Sequence, residues 1–189
     1  MERAEAKQLL YKNLKTKNLR KHCLAVEAIM GEIAEELNRR EGGNHDVESW
    51  RIAGLLHDID YDRTAEDPER HSLIGSEILK DEEVGKDIVY AIKAHNEVHG
   101  LPLKSKMDIA LYAADPLSGL IVASTLISPE KKLDAIDTQF VLNRFGEKSF
   151  ARGANRDQIL ACEKLGFSLK EFTAIALKAM KKIGKEIGL

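Results

Sequence analysis

Six side chains could act together in this 189-residue chain: His22, His57, Asp58, His71, His95 and Asp115. His22 lies on one stripe with Val26, Ile29 and Ile33. His57 ends the stripe of Trp50, Ala53 and Gly54, and His71 shares a face with Ile74 and Ile78. His95 follows Ile88, Ala91 and Ile92, and Asp115 follows Leu111 and shares its face with Val122. Residues three and four apart lie on one face of a helix, so each of these groups is predicted to point into a bundle. A single interior histidine is ordinarily a core residue with a satisfied ring. A buried carboxylate is harder to place, because an unpaired charge is costly away from water. Imidazoles and carboxylates sent inward from facing helices instead build metal sites in bundles. Mixed nitrogen and oxygen donors suit one or two divalent ions of iron, manganese, cobalt, nickel or zinc better than calcium, with magnesium a further candidate.

The elements that must carry these groups are helices. A helix over 19–39 stops at Gly42-Gly43-Asn44, and a second over about 47–59 leads into a polar loop, Asp60–Glu66. Asp67-Pro68 has the cap-then-proline order that starts a helix, and Asp81 is a cap for the next. That helix ends before His99-Gly100-Leu101-Pro102. A fifth runs from about Ser105 to Leu126 with Asp115-Pro116 inside it, where proline should kink it. Ser128-Pro129-Glu130 opens a short element, and Asp137–Phe145 reads as a helix closed by Gly146. Residues 156–165 form another ending at Gly166, and Ser168–Glu171 is a capping box opening a helix over about 169–185. The fold class is therefore all-α. Residues 1–127 read as a main bundle and 128–189 as a helical cap on the same domain.

Composition agrees with a globular chain: 43% hydrophobic, 32% charged, net charge −2. That balance gives no general attraction to extended nucleic acid or to anionic membrane. Cys23 and Cys162 stand far apart and outside any C-x-x-C pattern, which points to a reducing compartment. The first fifteen residues lack the apolar core of a signal peptide, and no run approaches about 18 consecutive apolar residues. A cytoplasmic location is expected, as a monomer or homodimer.

The series His22, then His57-Asp58 in AGLLHDID, then Asp115 in YAADPLSGL resembles the H…HD…D motif of the HD superfamily of metal-dependent phosphohydrolases. His71 in ERHSLIGSEIL and His95 in AIKAHNE resemble the added histidines of its HDIG-type branch, which hold a second metal. Ile59 meets the third position of that pattern, but Asp60 stands where the branch has glycine. The tail, GANRDQILACEKLGFSLKEF, is similar to that of small bacterial predicted hydrolases with this domain. The resemblance implies that His22, His57, Asp58 and Asp115 hold a first metal, and that Asp58 bridges to a second held by His71 and His95. Adjacent residues diverge by about 100° within a helix, so the helix must end at the doublet for both to reach metal. Two metals sharing a carboxylate can activate a bridging water as hydroxide for attack on a phosphoryl group.

On that reading Asp60 and Asp62 become candidates to orient the water, as catalytic partners of Asp58, although a polar loop accounts for both. Lys93 and Arg70 are candidate phosphate contacts, and Ser118 a small residue leaving room for substrate; solvated charge and close helix packing are the plainer alternatives. His95 and His99 are spaced as an H-x-x-x-H zinc pair, but Asn96 takes the place where that motif needs glutamate. No glycine-rich phosphate loop occurs. The leading expectation is hydrolysis of a small phosphate ester or anhydride, with a nucleotide as substrate. The same ligands would serve a di-iron oxygenase of this fold. A nucleotide-binding module without catalysis is the third alternative.

Overall fold

The structure, a computed structural model, describes residues 1–189 and contains helices, turns and no strand. Helix α1 (Arg3–Asn13), where no helix is predicted, packs against the helix that follows α2, and Arg3 pairs with the buried Glu27 of α2. Helix α2 (Lys17–Glu41) buries Val26, Ile29, Met30, Ile33, Ala34 and Leu37 along one side. It stops where Gly42 turns left-handed at φ 63°, a conformation that glycine adopts without a Cβ clash. Asp46 then caps α3 (Val47–Leu56) by accepting from Glu48 N. The two helices cross at Gly54, where a Cβ would stand 2.7 Å from the Val26 carbonyl oxygen and 2.9 Å from Glu27 Cα.

Helix α3 ends just before the His57-Asp58 doublet, as divergence of adjacent residues requires. A single turn, α4 (Tyr61–Thr64), occupies part of the expected loop. The next helix does not begin at Asp67-Pro68. The Asp67 carbonyl accepts from Arg70 N and His71 N in a turn, Ser72 takes φ 66°, and α5 (Leu73–Lys80) starts only after it. A left-handed residue cannot continue a right-handed helix, so His71 sits on a turn and shares no helical face with Ile74 and Ile78. Asp81 closes α5 rather than capping the following helix, and α6 (Lys86–Ala94) starts at Gly85.

Helix α7 (Lys106–Ile127) opens on a Ser105–Asp108 capping box and runs on through Pro116. Its length and apolarity would suffice to cross a membrane, but 61% of its most apolar window is buried by the other helices. The remaining elements are α8 (Thr138–Gly146), α9 (Arg156–Leu160), α10 (Leu169–Lys182) and α11 (Gly184–Ile187). A 3-10 turn extends α9 to Leu165 before left-handed Gly166, and the Ser168–Glu171 capping box opens α10. Phe167, Phe172, Leu177 and Met180 join the same hydrophobic cluster as Ile29, Leu37 and Leu117, so the C-terminal helices lie against α2 and α7.

Candidate metal centre

Four helices and one turn deliver the site. His22 comes from the second turn of α2, His57 and Asp58 from the end of α3, His71 from the turn before α5, His95 from the end of α6 and Asp115 from the middle of α7. The Nε2 atoms of His22 and His57 lie 3.1 Å apart, and those of His71 and His95 lie 3.2 Å apart. Asp115 Oδ1 is 3.0 Å from His22 Nε2 and 3.7 Å from His57 Nε2. Asp58 stands between the two pairs. Its Oδ1 is 3.3 Å from His71, 3.5 Å from His57 and 3.6 Å from His95, while Oδ2 is 3.6 Å from His22. The structure thus brings together all six side chains that the sequence singles out.

The opposite edge of each imidazole is occupied. His57 Nδ1 meets the Gly54 carbonyl at 2.8 Å and His95 Nδ1 the Ile92 carbonyl at 2.5 Å. His22 Nδ1 meets Ser118 Oγ at 3.0 Å, and that hydroxyl donates to the Asp115 carbonyl. His71 Nδ1 meets Asp60 Oδ1 at 2.9 Å. With Nδ1–H groups donating outward, the Nε2 lone pairs face one another. Two such lone pairs at this spacing repel unless a proton or a cation lies between them. Four imidazoles and two carboxylates therefore fit one or two divalent transition ions.

Electrostatics follows from the same crowding. Burial opposes a charge on His57, yet the Asp58 and Asp115 carboxylates outweigh it and push the ring up to about 9. Burial opposes charge on His71 too, and Asp58 with Asp60 pushes it up to about 10. Burial would raise both carboxylates, but His57, His71, His95 and His22 hold Asp58 well below the usual range, and His22 and His57 lower Asp115.

A raised imidazole stabilises the metal-free fold fully below its ordinary value of 6.5 and loses that contribution as pH rises through about 9 to 10. Chelator-treated protein should therefore melt at a lower temperature near pH 10 than near pH 6.5, as scanning calorimetry would read directly. Divalent ions act in the opposite sense, because they bind the deprotonated rings and gain affinity as pH rises. A metal-free melting temperature that is level or rising across this window would contradict the arrangement.

Five of the six, all but the fully buried His57, floor an open cleft of about 690 Å³, with Leu19, Tyr61, Asn96, Glu97, Val98, Gly153 and Gln158 on its walls. The other expected site residues are placed differently. Asp60 is fully buried behind His71, its second oxygen accepting from Gly75 N at 2.7 Å, so it is turned away from any water in the cleft. Asp62 accepts from the Lys15 and Thr16 amides and ties down the α1–α2 connection. Ser118 is fully buried and orients His22 rather than leaving space for substrate. Arg70 is exposed and faces Asp67 at 4.0 Å, and Lys93 does not line the cleft; no lysine or arginine does.

Some contributors carry no sequence signal for the part they play. Asn96 Nδ2 donates to the carbonyls of Pro68 and His71, and His99 Nε2 donates to the His71 carbonyl at 2.7 Å. Together they clamp the turn that carries His71. The spacing of His99 from His95 hints at a zinc pair and not at this clamp, and the rest is a run of polar residues such as any loop shows. Gly153 reaches the cleft from the connection before α9, and Gln158 from α9 itself.

The HD domain family model matches residues 19–124. Over 114 residues the chain is 40% identical to Ribonuclease Y of Nitratidesulfovibrio vulgaris (strain DP4), which covers 59% of this chain and 20% of that protein. Over 185 residues it is 32% identical to Ribonuclease Y of Desulfotalea psychrophila, covering 95% of this chain and 34% of the relative. It is also 36% identical over 109 residues to an uncharacterized protein of Methanocaldococcus jannaschii, covering 57% of this chain and 62% of that one. The chain thus spans between 20% and 34% of the length of these two ribonucleases. No solved structure matches it.

Proposed function

This chain belongs to the HD domain family, and from that premise we propose that it is a metal-dependent phosphohydrolase cleaving a phosphate ester or anhydride of a nucleotide. The observation that carries the proposal is the meeting of four Nε2 atoms and two carboxylates, all but the buried His57 on the floor of an open cleft. His22, His57, Asp58 and Asp115 would hold a first divalent ion, and Asp58, His71 and His95 a second. Bound there, such ions lower the pKa of a coordinated water and neutralise charge developing on the phosphoryl oxygens.

The chain's own part is positional. Outward hydrogen bonds fix the four imidazoles, and the Asn96–His99 clamp fixes the turn under His71. The cleft walls offer no lysine or arginine, so phosphate binding would rely on the ions and on neutral donors such as Gln158 and the Tyr61 hydroxyl. The names of the two ribonuclease relatives favour a second substrate reading, the phosphodiester of a short oligoribonucleotide.

An anaerobic assay supplied with manganese or iron(II) separates these. Release of phosphate from a nucleoside mono- or triphosphate, abolished by chelator, is the expected result. Cleavage confined to the oligoribonucleotide selects the second reading. Oxygen consumption with no phosphate release would overturn both and select an oxygenase.

A further inference from the structure

The four imidazoles of the centre are not held alike. Three have neutral partners at Nδ1: the Gly54 and Ile92 carbonyls and the Ser118 hydroxyl. Only His71 meets a carboxylate, that of Asp60 at 2.9 Å. Asp60 is 0% exposed, and both its oxygens are engaged, Oδ1 by His71 and Oδ2 by the amide of Gly75 at 2.7 Å. A Cβ on Gly75 would lie 3.3 Å from that carboxyl group, so glycine there lets the first turn of α5 close onto Asp60. Thr64 Oγ1, which donates to the Asp60 carbonyl at 3.1 Å, packs beside the same ring nitrogen. This is also the position where the sequence carries aspartate in place of the glycine of the H-D-I-G pattern.

A buried carboxylate is retained only when its charge is put to use or fully bonded. A carboxylate accepts and cannot donate, so it places the proton on His71 Nδ1 and leaves the Nε2 lone pair aimed at His95 and Asp58. A carboxylate behind a metal-bound imidazole also raises the donor strength of the ring, which a backbone carbonyl does less. Asp60 adds a negative charge to a site that would otherwise meet two divalent ions with the charges of Asp58 and Asp115 alone.

We propose that Asp60 is a positioning residue that makes the His71–His95 half of the centre the stronger donor and sets the affinity for the divalent ion held there. The inference rests on the two-ion reading above. It differs from the expectation that Asp60 orients water, because the carboxyl group has no face on the cleft.

The test is titration of the chelator-treated full chain with Mn²⁺ alone, followed by electron paramagnetic resonance of the free ion. Wild type takes up two equivalents. D60N keeps the shape and an acceptor for Gly75 but removes the charge and the oxygen that accepts from His71 Nδ1, and should bind one equivalent about 10- to 100-fold more weakly while leaving the other within about twofold. D60G, which restores the family pattern, should show the same one-sided loss. In the Zn²⁺-loaded, ¹⁵N-histidine-labelled protein, the Nδ1–H proton of His71 should lie furthest downfield of the four and move upfield in D60N, with those of His57 and His95 unmoved.

Should D60N fail to fold, G75A carries the test, since its methyl group displaces the carboxylate by a few tenths of an ångström; the same selective loss is expected, smaller in size. Equal weakening of both equivalents, no weakening of either, or a wild type that binds a single ion overturns the proposal. The outcome is independent of catalysis. One-sided weakening without phosphate release from any nucleotide leaves Asp60 in this role and removes the hydrolase, and phosphate release with equal weakening does the reverse.

Discussion

Asp58→Ala is expected to slow phosphate release by about 1,000-fold, an increase in barrier of about 4 kcal/mol. No other side chain touches all four histidines: its carboxylate lies between 3.3 and 3.6 Å from the Nε2 atoms of His71, His57, His95 and His22. Removing it takes a ligand from both ion positions and leaves His57 and His71 without a charge that holds their protons. The control is Asp62→Ala, four residues further on. Asp62 is bonded to the Lys15 and Thr16 amides rather than to the cluster, so this variant should lose some stability and keep its turnover per folded molecule. Steady-state rates at saturating metal decide the matter. An Asp58→Ala chain within about tenfold of wild type would mean that the chemistry is done elsewhere.

The largest effect on stability is expected at Gly54. A valine there would drive its Cβ into backbone, at 2.7 Å from the Val26 carbonyl oxygen and 2.9 Å from both Cα and N of Glu27. Backbone cannot swing aside as a side chain can, so α2 and α3 would have to separate. Overpacking of this kind costs about 3 kcal/mol or more, and in a chain of this length each kcal/mol lowers the melting temperature by about 2–4 °C. A fall of about 10 °C is therefore expected for Gly54→Val. The same residue offers the carbonyl that holds His57 Nδ1 at 2.8 Å, so metal uptake should weaken in step. Gly119→Ala is the contrast. It lies exposed on α7 with nothing within 4 Å of its Cβ position, and helix propensity makes it neutral or stabilising by up to about 1 kcal/mol. A Gly54→Val protein melting like wild type would refute the close crossing.

The clustered side chains are legible because helical spacing records which face a residue occupies, and His22, His57, His95 and Asp115 each lie on, or directly after, an apolar stripe. His71 joins the cluster for a reason other than the one its spacing gives. The apolar run Ile74 and Ile78 suggested a shared face, but left-handed Ser72 breaks the helix between them, and only the completed fold brings the turn inward. Asp60 and Ser118 stand behind histidines, where their spacing suggests a water contact for one and room for substrate beside the other. Their neighbours in space, Gly75 and His71 for one and His22 for the other, lie on different elements, and spacing along a chain carries no such information. The Asn96–His99 clamp and the cleft walls at Gly153 and Gln158 were unreadable for the same reason. Helix α1 escaped notice because its alternation of charged and apolar residues is weak, and it is fixed by packing and by the Arg3–Glu27 pair.

A crystal of the protein soaked in Mn²⁺ and measured at a wavelength where manganese scatters anomalously tests the centre most directly. An anomalous peak is expected about 2.0–2.3 Å from Nε2 of His22 and His57 and from the carboxylates of Asp58 and Asp115, with a second beside His71 and His95. Peaks only on surface carboxylates, with the four imidazoles still paired through Nε2 at about 3 Å, would contradict a metal centre and with it the proposed chemistry.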